Sequence, residues 1–337
     1  MKTAIYGAGA IGTALGAYIT KAGQAVDLIS RNKAHVGALK EKGARITGTV
    51  ELIVPVNALT PDELKEKYDI IFLATKQLEN KKVVGELIPY LSDGGVVCTL
   101  QNGLPELSVA GVIGRDRTFG CAIAWGAEII EPGVCKLTSE PEALTFGIGA
   151  ASGKSGGRLD DIAKILELMG EVKIEENFMG ARWSKLLVNS AFSGMSAVLG
   201  STFGEAAKDK RSRVVIQKII KECVDIAKAA NIRIEPIQGK DVVKLLDYDN
   251  KLKQKISFMI IPLAIKKHAA LRASMLQDIE KGKKCEIEAI NGVVSDYGKT
   301  VGVPTPFNDK TVEIIKGIEA GKYKPSWENL SLYGECF

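Results

Sequence analysis

Apolar and polar positions follow two different rhythms along this chain. Up to about residue 150, short apolar runs at 1–6, 25–30, 69–74 and 95–100 read as strands, and the amphipathic stretch at 10–21 reads as a helix. The runs at 69–74 and 95–100 are apolar enough to be covered on both faces, as parallel strands flanked by helices are. Strand, helix and strand over residues 1–30 make a βαβ unit, so this part predicts an α/β fold with a Rossmann-type doubly wound sheet. The glycine-rich stretch 147–157 predicts a flexible loop, followed by a helix at 160–169 and a strand at 172–175. Beyond a boundary placed at 178 the period is helical, with candidates at 181–199, 211–230, 251–280 and 286–300. The expected organisation is a domain 1–178 carrying the sheet and an all-helical domain 179–337, with the active site in the cleft between them.

Composition agrees with two packed domains: 337 residues, 46% apolar and 25% charged, suffice for a core in each. The net charge of +5 is dispersed, and the basic run at 281–284 is short and flanked by Glu280 and Glu286. This favours anionic small molecules over nucleic acid as partners. Six cysteines form no CxxC pair, which predicts reduced thiols, a cytoplasmic setting and no structural metal. No apolar run approaches the roughly 18 residues of a membrane span, and residues 1–6 read as a strand rather than an export signal. His35 and His268, the only histidines, fall outside every motif and read as surface residues.

The cofactor signal is Gly7-Ala8-Gly9-Ala10-Ile11-Gly12, which follows a strand and opens a helix. Gly7 permits the tight turn, Gly9 lets backbone approach a pyrophosphate, and Gly12 allows close packing of helix on strand. A rival phosphate motif, Gly153-Lys154-Ser155, lacks the glycine five positions earlier, where Ile148 stands, so ATP is discounted. After the second strand comes Arg31, where an NAD enzyme usually has an acid. An arginine there suits a 2′-phosphate and hence NADP, while Asp27 lies within the strand. Lys76 and Asn102 sit in loops at carboxyl ends of strands, where open α/β sheets bind ligands, although a turn role explains either equally well.

In the helical part, Lys185, Asn189 and Ser193 recur every four residues in an otherwise apolar segment and form one polar stripe. A desolvated lysine has a lowered pKa useful for proton transfer, whereas a lysine at a helix end can also simply snorkel to water. Near the C-terminus a helix breaks at Gly282, a bend able to bring Ser274 and Glu286 together. Glu288, Gln277 and Asp278 have equal chemical capability.

Together the glycine turn, Arg31, Gln101-Asn102-Gly103, the Trp-Ser-Lys-Leu-Leu-Val-Asn run at 183–189, and Ser-Met-Leu-Gln-Asp at 274–278 with Glu286 resemble ketopantoate reductase over nearly the whole chain. The resemblance implies NADPH-dependent reduction of a 2-oxo acid to a 2-hydroxy acid, on the route to pantothenate and coenzyme A. It implies Lys185 as general acid, Asn189 holding substrate and Ser274 on its carboxylate. It further implies Glu286 near the cofactor and the substrate hydroxyl, Asn102 bridging nicotinamide and substrate, and Lys76 and Ala127 beside the cofactor. Two positions depart from the family pattern: Ser193 stands where a second asparagine is common, and Ala273 replaces a frequent serine. The alternatives are therefore a paralogue acting on another branched 2-oxo acid, or an NADPH-binding regulator without turnover. The apolar stretch 256–265 is either core or a subunit interface, with a slight lean to a homodimer.

Overall fold

A computed structural model describes residues 1–154, 157–237 and 239–336, and the side chains of all of these except 335 and 336. Ser155 of the discounted phosphate motif and the Cys336 side chain lie outside the described part. The chain divides into two compact units, Met1–Phe178 and Met179–Phe337.

The first unit holds an eight-stranded sheet and a four-stranded one. In chain order the strands are β1 (Thr3–Tyr6), β2 (Asp27–Ile29), β3 (Ala44–Gly48), β4 (Leu52–Val54), β5 (Asn57–Leu59), β6 (Tyr68–Leu73), β7 (Leu91–Thr99), β8 (Thr118–Ile123), β9 (Ala127–Glu131), β10 (Val134–Leu137), β11 (Thr145–Ala150) and β12 (Glu171–Ile174). The large sheet runs β12-β11-β8-β7-β6-β1-β2-β5. Its pairs are parallel except β8 with β11. Helices α1 (Ala10–Lys21), α2 (Lys33–Lys42), α3 (Asn80–Leu87), α4 (Pro105–Ile113) and α5 (Gly157–Leu166) accompany it. Because the chain leaves β1 toward β2 and later returns to β6 on the other side of β1, the strand order reverses there. In open α/β sheets that reversal opens a crevice outside the carboxyl ends of the strands.

The small sheet, ordered β4-β3-β10-β9, has no counterpart in the sequence reading. Its strands pack against α1. This sheet explains why His35 is buried at 2% exposure rather than on the surface. The β9–β10 turn donates Gly133 N–H to His35 Nδ1 at 3.1 Å, which leaves Nε2 as the protonated nitrogen facing Thr13 Oγ1 at 3.0 Å. Burial pushes the His35 pKa below its ordinary value, which favours the neutral ring. His268 is exposed. The expected loop at 147–157 is also corrected: residues up to Ala150 complete β11, where Gly149 leaves room for Phe178, whose Cβ lies only 2.3 Å from where a Cβ on Gly149 would stand.

Among the described residues the only strand pairing in the second unit is an isolated bridge between Ile237 and Lys240, and its regular structure is otherwise helical. Its helices are α6 (Phe178–Val188), α7 (Gly194–Leu199), α8 (Phe203–Lys208), α9 (Lys210–Ala229), α10 (Val242–Leu246), α11 (Lys251–Ala264), α12 (Ser274–Glu280), α13 (Val293–Val301) and α14 (Pro306–Glu319). Two π-helical turns, Asn189–Ser193 and Glu288–Gly292, interrupt what the apolar period presents as single helices. The expected helix at 251–280 is likewise two, α11 and α12, separated by a 3-10 turn at Lys266–His268 and extended chain. Every residue of α7 is buried, with α8, α12 and α14 packed around it. On the outside, Leu252, Met259 and Leu263 of α11 are more than 60% exposed, so the stretch 256–265 is only partly core.

Buried thiols outside any disulfide are found at Cys98, Cys121, Cys135, Cys223 and Cys285. Among the described residues no group of three or more acidic, histidine or cysteine side chains could hold a metal ion, and no helix is long and apolar enough to cross a membrane.

Candidate active site

In the first unit the candidates gather at the carboxyl edge of the large sheet. The backbone turns at Gly7 with φ of +105°, and a Cβ there would stand 2.5 Å from Thr75 N. Only glycine fits. Gly12 is closed in a different way, since its Cβ would meet Gly7 O at 2.6 Å and Ile5 Cγ2 at 2.9 Å. Gly9 is the open one: a Cβ would find nothing nearer than Gly7 O at 4.0 Å. The space beside it abuts the start of α1, whose N-terminus has neither a side-chain cap nor an acidic residue in its first turn. Uncapped N–H groups and the positive end of a helix dipole, next to backbone free of side chain, suit a pyrophosphate. Ala8 and Ala10 complete the turn; Ala8 is buried, Ala10 and Ile11 are partly so. The small sheet anchors the turn through Cys135 Sγ, which donates to Ala10 O at 3.3 Å, and α1 adds Thr13 Oγ1, which donates to Ala8 O at 3.4 Å.

Arg31 follows β2 at the same edge, exposed, and makes no ion pair or hydrogen bond among the described residues. The nearest acid in sequence, Asp27, is engaged at the opposite end of β2, accepting from Asn57 Nδ2 at 2.6 Å and Tyr68 OH at 2.7 Å. Lys76 is exposed in the β6–α3 loop. Asn102, half-buried in the β7–α4 loop, is held from behind: Gln77 Nε2 donates to its carbonyl. Gln101 Nε2 donates to Thr75 O at 2.6 Å, and the Gln101 and Asn80 amides exchange bonds of 2.8 and 2.9 Å. This amide lattice, which sequence reasoning missed, ties the two loops together and leaves the Asn102 side chain without a hydrogen bond among the described residues. Ala127 opens β9 just beyond the carboxyl end of β8.

In the second unit, Lys185 is half-buried on α6, a helix fixed by Trp183, which is fully buried with its ring edge-on to Tyr297 at 5.3 Å. Asn189 opens the first π-turn and Ser193 closes it. Four residues of α-helix overshoot a full turn by about 40°, and the wider π-turn takes back part of that drift. The stripe Lys185, Asn189, Ser193 is therefore straighter than an unbroken α-helix would make it. The α12 helix, beginning at Ser274, packs on this π-turn, and so does the second π-turn, two residues after Glu286. Ser274 is exposed and Glu286 half-buried. Of the rival carboxylates and amides, Glu288 pairs with Lys316 on the exposed face, and Gln277 reaches Arg272 O at 3.4 Å.

One contrast runs through both units. Asn102, Asn189, Ser193 and Ser274 make no side-chain hydrogen bond among the described residues. Their polar neighbours do: Gln101 as above, Ser190 to Cys223 Sγ at 3.2 Å, and Ser196 both to Ser201 O at 2.6 Å and from Ala273 N at 3.2 Å. Polar groups without protein partners are available to a ligand.

The sequence matches the family description "Ketopantoate reductase PanE/ApbA" over residues 3–151 and its C-terminal counterpart over residues 177–319. The chain belongs to the ketopantoate reductase family. It is an oxidoreductase of that family. Among its relatives, the 2-dehydropantoate 2-reductase of Pyrococcus abyssi is 29% identical, over 95% of this chain and 98% of the relative. The fold is shared with a ketopantoate reductase crystal structure from Ralstonia eutropha JMP134, at TM-score 0.79 and 23% identity, covering 96% of this chain and 99% of that one. It is also shared with D-mandelate dehydrogenase, solved with NADH and anilino(oxo)acetate, at TM-score 0.80 and 22% identity over 95% and 99%.

Proposed function

We propose that the protein reduces 2-dehydropantoate to pantoate with NADPH, in the supply of pantothenate and coenzyme A. The observation that carries this reading is the set of polar side chains left without protein partners, Ser193 buried, Asn102 and Asn189 half-buried and Ser274 exposed, beside braced ones, in a member of this family. The glycine turn cradles the pyrophosphate, Arg31 takes the 2′-phosphate, and Lys76, Asn102, Ala127 and Glu286 line the rest of the cofactor. NADPH, when bound, supplies the hydride. Lys185 holds a proton at Nζ and delivers it to the carbonyl oxygen as negative charge develops there, which also stabilises that charge. Asn189 and Ser193 hold the substrate from one side of the π-turn, Ser274 receives its carboxylate, and Glu286 accepts from its hydroxyl. A cytoplasmic homodimer is the setting we propose, with the exposed apolar face of α11 between copies.

A second reading, reduction of a different 2-oxo acid, is favoured by Ser193, whose hydroxyl offers fewer bonds than an asparagine amide. The fold neighbour D-mandelate dehydrogenase fits that reading too. The deciding experiment follows NADPH consumption with 2-dehydropantoate and a panel of 2-oxo acids, using wild type and Lys185→Ala. Turnover of 2-dehydropantoate that falls by about a hundredfold or more in the variant supports the first reading. Turnover of another acid alone moves the assignment to the second, and tight NADPH binding with no turnover makes the protein a non-catalytic sensor.

A further inference from the structure

Behind the π-turn lies a chain of buried polar groups that the reaction itself does not use. It begins at Glu222 on α9, 8% exposed, whose carboxylate accepts Phe307 N at 2.9 Å, Asn308 N at 3.0 Å and Asn308 Nδ2 at 2.7 Å. Glu222 thereby caps α14 from a neighbouring helix, since the N-cap residue Thr305 makes no side-chain cap bond. Asn308, fully buried, is oriented by that carboxylate, and its Oδ1 accepts Asn291 Nδ2 at 2.9 Å. The other proton of the Asn291 amide goes to Ser190 O at 3.0 Å. Asn291 is itself fully buried, and Gly194 permits its approach: a Cβ there would stand 3.0 Å from Asn291 Oδ1.

The last bond reaches the backbone of the site. In an α-helix Ser190 O would accept Gly194 N, four residues on. Here Gly194 N bonds instead to Asn189 O, five residues back, while the inserted Asn291 amide takes Ser190 O. Insertion of a side chain into the helical ladder is one of the known causes of such a bulge. Asn291 also belongs to the second π-turn, so one amide joins the segment bearing Asn189 and Ser193 to the segment that follows Glu286.

Resting on the function proposed above, we infer that Glu222, Asn308 and Asn291 are positioning residues that hold the Asn189–Ser193 turn in its π form and so aim Asn189 and Ser193 at the substrate. None of the three touches the reacting atoms; they act through the turn.

The test uses the full chain, with steady-state kinetics, NADPH titration and a crystal structure of Asn291→Ala. The expected result is a fall of about tenfold or more in kcat/KM for the 2-oxo acid, mostly in KM, with NADPH affinity within about twofold of wild type. The crystal structure is expected to show 189–193 as regular α-helix with Gly194 N on Ser190 O. Glu222→Gln and Asn308→Asp should each lower kcat/KM, and the double variant should recover much of it. In the double variant the amide introduced at position 222 can donate to the carboxylate introduced at position 308, which still accepts from Asn291. That link is then restored with its polarity reversed. Unchanged kcat/KM, equal loss of NADPH affinity, or a π-turn that persists in Asn291→Ala would each overturn the relay. If Asn291→Ala does not fold, recovery in the double variant supports the relay and its failure to recover overturns it. If wild type turns over no 2-oxo acid, the functional reading falls by itself, and the variant's crystal structure still decides the relay.

Discussion

The two units of this protein build their candidate sites from different materials. In Met1–Phe178 the cradle is backbone: a helix start, three glycines each with its own steric reason, and loops pinned by an amide lattice. In Met179–Phe337 it is side chain, a lysine, an asparagine and a serine aimed by an interrupted helix, with Ser274 at the start of α12. A backbone site tolerates little at its glycines and much at its other positions; a side-chain site does the reverse. Substitutions that separate cofactor binding from turnover test that difference.

The largest effects are opposite failures in the two units. Lys185→Ala should lose about a hundredfold to ten-thousandfold in kcat with NADPH affinity nearly unchanged, the range for losing a general acid. Gly9→Ala should lose NADPH affinity by at least about tenfold while its melting temperature stays near wild type, because the new Cβ meets no protein atom closer than 4.0 Å but would fill the space proposed for the pyrophosphate. Gly12→Ala should lower stability as well, by about 1–3 kcal/mol, since its Cβ runs into Gly7 O and Ile5. Titration of NADPH alongside thermal melts measures both. Gly9→Ala and Gly12→Ala behaving alike would remove the distinction between an open and a closed glycine.

That distinction also marks what the sequence made legible. Glycine spacing reports steric need directly, so the βαβ turn, α1 and the boundary-flanking rhythm of the first unit could be read from residue order. The small sheet could not: β3, β4, β9 and β10 are strands of three to five residues whose pairing joins segments some 90 positions apart, as Arg45 with Val134. With that sheet unseen, His35 had no visible cover and Cys135 no visible partner. In the second unit the apolar period located the helices, but a π-turn keeps an apolar face while changing which carbonyl bonds which amide. The cause of the change at 189–193 is Asn291, about a hundred residues away, and no local pattern contains it. The Ser190 and Ser196 hydroxyls were likewise indistinguishable in sequence from the unpartnered Ser193.

A smaller effect sharpens the cofactor side of the comparison. Arg31 stands free of ion pairs among the described residues at the edge where the ribose would lie. Arg31→Ala should therefore reduce the preference for NADPH over NADH by about tenfold or more, chiefly in KM for NADPH, without altering kcat for either. Measured KM values for both nucleotides decide it, and an unchanged ratio would assign the 2′-phosphate to another cation.

The remaining effect is a slope of stability with pH, and it belongs to the second unit. Burial pushes the Glu222 carboxyl up from 4.5 to about 7, against the three N–H groups that favour its charged form and with a further upward push from Asp309 on α14. Between about 4.5 and 7 the folded protein therefore holds a proton that the unfolded chain has released. Stability from this group is greatest below the unfolded value and declines as pH rises through 7. Urea melts of wild type and Glu222→Gln at steps across that interval isolate the contribution, because the variant cannot titrate at this position. The expected outcome is a difference between the two that shrinks or changes sign as pH rises, since wild type alone loses stability to ionisation. Parallel pH profiles would mean that the helix end and the Asn308 amide keep Glu222 ionised throughout, with the fixed charge serving the cap.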